Sequence, residues 1–337
     1  MSQLLLSRRA TLAAFAALAL PALPARSQAA SKVTVALDWT PNTNHIGLFI
    51  ARDKGFYKDE GINVELLPYT DTSAGTLVAN HVADFGILGS IALLTQRTAG
   101  ADLVGTYAIV QTETGRLVLK GGRSDITRPK DLDGKTYGGF GSAWENALIS
   151  SIIRHDGGKG EFETVTLGTS AYQALENGAV DFTLEVYTWE GVKAELEGLK
   201  QGAFRYADYG VPDEHTTLIC SSRKFLAENP KEAAAFLQAT RRGYQFAIEN
   251  PDEATDLLIS ANKDALTDRA LIRASLKALI DGKYLESAEG VIGTIDPSKF
   301  EAIGAYAYQA GILKAAGGRP LEAKPDFKGY YANDFLK

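Results

Sequence analysis

The chain has 337 residues, 45 % hydrophobic and 23 % charged, which is ample for two buried cores and lacks the bias of a disordered polypeptide. Its formal charge of −6 argues against nucleic-acid or anionic-membrane partners. The single cysteine, Cys220, excludes an intrachain disulfide, and no later segment has the apolar length of a membrane span.

Residues 1–29 read as a secretory signal peptide. Ser7-Arg8-Arg9 precedes a short apolar run at 10–20, and Ser27-Gln28-Ala29 fits a small-x-small cleavage site. The arginine pair suggests the twin-arginine route, with Thr11 standing where that pattern usually has Phe. A general secretion signal is the alternative. Removing the leader takes away Arg8, Arg9 and Arg26 and no acid, so the formal charge moves from −6 to −9. The mature chain is expected to be soluble, monomeric and periplasmic.

From residue 32 onward strands and helices alternate. Residues 33–37 read as a strand and 44–54 as a helix ended by Gly55. A strand at 61–67 and a helix at 73–81 follow, with Asp71 or Thr72 as candidate N-cap. A strand at 84–88, a helix opened by Gly89-Ser90 and a strand at 103–110 complete the unit. The same grammar recurs at 136–139 (strand), 141–153 (helix), 162–167 (strand), 170–176 (helix), 181–187 (strand) and 190–199 (helix). Such β-α-β-α-β runs imply mainly parallel sheets flanked by helices. Residues 216–220 form a further strand, after which the chain is almost wholly helical, punctuated by Asn229-Pro230, Asn250-Pro251 and Asp296-Pro297. The economical α/β arrangement has two lobes, one of residues 30–118 and 218–337, the other of 119–217. They are joined by two crossover strands near 115–121 and 212–218. A separate C-terminal helical bundle is the alternative.

Candidate chemistry gathers at predicted strand ends, where ligands of open α/β sheets bind. The loop Asp38-Trp39-Thr40-Pro41-Asn42-Thr43-Asn44-His45 carries more functional groups than a turn needs. Trp39, Trp144 and Trp189 each follow a predicted strand, so all three indoles are expected to face one cleft. Flat aromatic walls suit a flat, partly apolar ligand. Asp38 and Glu190 can accept hydrogen bonds from its amino groups, although an acid beside a helix start also favours the helix dipole. The turn Gly138-Gly139-Phe140-Gly141-Ser142 and the smaller Gly89-Ser90 offer backbone N–H groups, but no complete dinucleotide fingerprint is present. No nucleophile elbow, P-loop or histidine pair at metal-ligand spacing occurs, so neither cofactor nor metal is expected. Cys220 reads as buried and unreactive.

The stretch from Leu37 to Leu48, then Ala51-Arg52-Asp53-Lys54-Gly55-Phe56-Tyr57 and Glu60-Gly61-Ile62, resembles a known family. Asp84-Phe85-Gly86, Asp131-Leu132-Asp133-Gly134-Lys135 and Gly178-Ala179-Val180-Asp181 fit it too. The family is that of solute-binding proteins serving ABC importers of thiamine-pyrimidine precursors, related to alkanesulfonate, nitrate and riboflavin binders. The resemblance spans about residues 33–260 and implies a two-lobed type II periplasmic binding fold. It also implies a cleft ligand such as formylaminopyrimidine and an inner-membrane ABC permease as partner. Pyrimidine contacts carry over to Trp39, Tyr187, Trp189 and Glu190. With the residue-based candidates, the expected ligand site comprises Asp38, Trp39, Asn42, His45, Ser90, Gly141, Ser142, Trp144, Tyr187, Trp189 and Glu190. The family also holds synthases making hydroxymethylpyrimidine phosphate from pyridoxal phosphate and histidine. Their lysine and histidine fall on Leu88 and Ala92 here, which removes the Schiff-base residue. A binding protein is therefore expected rather than an enzyme.

Overall fold

The computed structural model describes residues 30–337; the expected leader at 1–29 lies outside them. The first sheet begins with β1 (Ser31–Ala36), β2 (Ile62–Leu67), β3 (Phe85–Leu88) and β4 (Val104–Val110). The second contains β5 (Gly115–Lys120), β6 (Thr136–Gly139), β7 (Glu163–Thr166), β8 (Phe182–Val186) and β9 (Gln201–Arg205). The chain then returns to the first sheet as β10 (Thr217–Ser221).

The sheet orders are β2-β1-β3-β10-β4 and β7-β6-β8-β5-β9. In each, four strands share a direction and the strand that has just crossed over, β10 or β5, runs against them. The fold is the expected two-lobed α/β architecture. Helices cover both faces of the first sheet, so β4 (Val-Gly-Thr-Tyr-Ala-Ile-Val) is buried along its whole length.

Two details differ from the sequence reading. The expected boundary after residue 118 falls inside β5, which pairs wholly within the second sheet. The outward passage therefore lies at 111–114 and the return at 206–216. Residues 201–205, to which the sequence reading assigns no element, form the edge strand β9. The pairing partner of this short strand, β5, precedes it by some eighty residues, so local pattern carries little signal.

The C-terminal helices pack onto the first sheet instead of forming a bundle of their own. Phe236, Leu237 and Tyr244 share one core with Val33, Val35 and Ile50. Helix Pro230–Glu249 crosses helix Ile46–Asp53 at two glycines. A Cβ on Gly243 would stand 2.0 Å from the Gly47 carbonyl oxygen. That close approach lets the Tyr244 hydroxyl donate to the Asn44 carbonyl at 2.5 Å. The C-terminal half thus anchors the loop that follows β1.

Candidate functional site

The loop after β1 is fixed by its own side chains. Asn42 Oδ1 accepts the Asn44 N–H at 2.8 Å and so caps a 3-10 turn, Thr43–His45. His45 is buried; its Nδ1 accepts the Asn42 N–H at 3.3 Å and its Nε2 lies 2.9 Å from Asp38 Oδ1. An Nδ1 that accepts leaves the proton on Nε2, which donates to Asp38. His45 therefore orients Asp38 from behind and does not line the cleft.

Trp39 is half-buried at the cleft wall. The register pairs Ala36 with Leu67, so the loops after β1 and β2 emerge side by side. Tyr69 accordingly meets Trp39 at 5.4 Å between ring centroids. Phe140, from the loop after β6, meets Trp39 edge-on at 5.7 Å, and Tyr172 continues the series. The partners of Trp39 are thus Tyr69 and Phe140; Trp144 and Trp189 line the same cleft elsewhere. Beyond β8 the chain makes one π-helical turn, Tyr187–Gly191, a local widening frequent at functional sites. It carries Trp189 and Glu190 to the cleft and turns Tyr187 away. The Tyr187 ring lies beneath the Arg116 guanidinium, 4.7 Å from its centroid, so the expected contact from Tyr187 is not supported by the geometry. The turn is held across the lobes, because Ser275 of helix Arg269–Asp281 donates to the Thr188 carbonyl and also meets the Thr43 hydroxyl.

The glycine-rich turn after β6 departs from its expected role. Glu145, the buried first residue of helix Glu145–His155, turns back into it. Its Oε2 accepts from the Phe140 N–H and the Tyr137 hydroxyl, both at 2.8 Å, and its Oε1 from the Ser142 N–H at 2.6 Å. Gly141 and Ser142 still line the cleft, but the Phe140 and Ser142 donors already serve an internal carboxylate.

The cleft measures about 560 Å3. Six carboxyl groups line it: Asp38, Asp71, Glu113, Glu185, Glu190 and Glu214. Among the described lining residues there is no Lys, Arg or His. Arg116 reaches Glu185 from outside the cleft and pairs with it. Burial pushes Glu190 up to about 7, against a 3.3 Å hydrogen bond from the Val186 N–H. Burial likewise raises the neighbouring acids Glu113 and Glu214, and the closeness of the two carboxyls raises Glu214 further. Among the buried polar atoms of the described residues that lack a partner, Glu214 Oε2 and Asn44 Oδ1 belong to residues that border the cleft. The arrangement can hold a flat ring and accept hydrogen bonds from it; no described lining side chain carries a positive charge to neutralise an anion.

A family model described as NMT1/THI5 like matches residues 42–254. The chain belongs to this family. It is 25 % identical over 283 residues to the formylaminopyrimidine-binding protein of Halalkalibacterium halodurans, covering 82 % of this chain and 84 % of that one. It is 27 % identical over 237 residues to a 4-amino-5-hydroxymethyl-2-methylpyrimidine phosphate synthase of Saccharomyces cerevisiae, covering 66 % and 69 %. In fold it matches the alkanesulfonate-binding protein SsuA of Xanthomonas axonopodis with a TM-score of 0.64 at 14 % identity, over 84 % of this chain and 94 % of that one. The NMT1/THI5-like family thus spans binding proteins and synthases, on a fold shared with solute-binding proteins of ABC importers.

Leu88 and Ala92, the positions on which the resemblance places the synthase lysine and histidine, both line the cleft. Of the expected site residues, Asp38, Trp39, Asn42, Ser90, Gly141, Ser142, Trp144, Trp189 and Glu190 line it; His45 and Tyr187 do not. Sequence reasoning missed Tyr69, Phe140, Tyr172, Glu113, Glu185 and Glu214. Phe140 lies inside the glycine-rich turn 138–142, and Tyr69 is reachable by extending the β1–β2 register. Glu113 and Glu214 sit on opposite crossovers and carry no local signal.

Proposed function

We propose that this protein is the periplasmic receptor of an ABC importer and captures a thiamine-precursor pyrimidine, such as formylaminopyrimidine, in the cleft. The observation that carries this reading is an aromatic wall facing six carboxyl groups with no basic side chain among the lining residues. A pyrimidine bearing amino groups presents a stackable face and an edge of N–H donors, which suits that pattern. An alkanesulfonate or a phosphate brings charge that the lining would repel, and the N–H groups of the glycine-rich turn are engaged by Glu145. Riboflavin shares the flat ring but its bulk exceeds that of a single pyrimidine. Against synthase chemistry, the cleft presents Leu88 and no lysine to form a Schiff base with pyridoxal phosphate. The leader-like segment at 1–29 supports export, and the family kinship supports delivery to a permease.

Calorimetry and thermal shift with formylaminopyrimidine, thiamine, riboflavin, taurine and pyridoxal phosphate test the reading. Saturable binding of the pyrimidine, with none for taurine or pyridoxal phosphate, is the expected result. Tight binding of taurine alone, or Schiff-base absorbance with pyridoxal phosphate, would overturn it.

A further inference from the structure

The two crossover segments are tied to each other by side chains. The Thr114 N–H donates to Thr216 Oγ1 at 2.9 Å, Thr216 Oγ1 donates to the Thr112 carbonyl at 2.8 Å, and the Glu113 N–H donates to Asp213 Oδ1 at 2.8 Å. This knot brings Glu113 and Glu214 together at the cleft wall, one from each crossover. Glu113 Oε1 accepts the Gly115 N–H. Glu214 is only 4 % exposed, and its Oε2 has no partner.

Among the described residues no cation relieves the pair. Lys299, on helix Pro297–Gln309, is bound to Asp213 at 2.6 Å and to the Gln111 carbonyl at 2.8 Å. His215 is held neutral, its value brought down to about 4 by burial and by Lys299, while its Nε2 accepts the Asp296 N–H. The other groups facing the pair are Tyr206, Tyr306, Ser90 and Asp213, none of them cationic. A buried carboxylate without a partner is costly, and a ligand that supplied a charged donor there would remove the penalty.

We propose that Glu113 and Glu214 form a subsite for a positively charged nitrogen group of the ligand, an ammonium or amidinium, seated where the two crossovers meet. The inference rests on the cleft being the ligand site and adds a charge selection to it. A cationic group entering the subsite takes the place of the proton that burial favours on these acids, and that proton leaves to solvent. The crossovers are also where the lobes join, so a cation held by one acid from each would fasten the hinge segments together.

The test uses three probes: 4-amino-5-aminomethyl-2-methylpyrimidine, which is cationic at neutral pH, its neutral N-formyl derivative, and benzamidine, a flat cation without the pyrimidine pattern. Titration calorimetry at pH 7 in two buffers of different ionisation enthalpy counts protons released. The cationic pyrimidine is expected to release about one proton and to bind at least about tenfold more tightly than the neutral one. Glu214→Gln and Glu113→Gln, each checked for native circular dichroism, are expected to abolish that release and that preference, so that each variant binds the cationic and the neutral pyrimidine with affinities within about threefold of one another. Equal affinity for the two pyrimidines with no proton release by the unaltered protein would overturn the subsite and leave the pyrimidine reading intact. Binding of benzamidine with proton release, and of neither pyrimidine, would sustain the subsite and overturn the pyrimidine reading.

Discussion

Glu190 gives a stability signature that can be computed before it is measured. Its carboxyl has an ordinary value of 4.5 and is pushed up to about 7 in the fold, chiefly by burial. The folded protein therefore keeps this proton up to about pH 7, whereas the unfolded chain releases it near 4.5. Folding takes up a proton between those values, so stability falls as pH rises through that window. One pH unit corresponds to 1.36 kcal/mol, so the full window is worth about 3 kcal/mol. The contribution is present below pH 4.5 and lost above pH 7. Glu190→Gln keeps the shape and removes the titration. Urea unfolding of both proteins from pH 4 to 8 isolates the effect, because Glu113, Glu214 and Glu185 are present in each and cancel in the difference. The unaltered protein should lose about 3 kcal/mol relative to the variant across the window. Parallel stability curves would refute the placement of Glu190 in a desolvated cleft wall.

Three further outcomes follow from the packing. Trp39→Ala should weaken pyrimidine binding by about 1–3 kcal/mol, by analogy with base–aromatic stacking, with little change in the urea midpoint; calorimetry reads the first and unfolding the second. Gly243→Ala drives a methyl group into the Gly47 carbonyl and should destabilise the fold by about 1–3 kcal/mol, seen as a lower urea midpoint at unchanged slope. Glu145→Gln leaves a donor facing the Phe140, Ser142 and Tyr137 donors and should cost about 1–3 kcal/mol by the same measurement.

The alternation of apolar strands and helical segments made both lobes readable, because each β-α-β unit is encoded within a few tens of residues. The loop after β1 stands out in the sequence for its density of functional groups, but the Asn42 cap and the His45–Asp38 contact show only in the fold. What escaped was non-local. β9 and the outward crossover depend on partners distant in sequence. The acid pair exists only because two segments a hundred residues apart are knotted together. Tyr187 was misplaced for a geometric reason: β8 ends at Val186 and the π turn rotates the next residues, so strand alternation no longer says which side chain faces the cleft. The role of Glu145 was hidden because an acid at a helix start reads as dipole compensation, and only the folded turn shows that it reaches back to three donors.

That reach gives the glycine-rich turn an unusual character. It is an anion receptor that has already bound an anion, one tethered to its own chain and therefore present at high effective concentration. An incoming phosphate or sulfonate must compete with a resident that never diffuses away. On the proposed reading, discrimination against anionic solutes is stored partly in the scaffold, through Glu145, and partly in the six carboxyl groups that line the cleft.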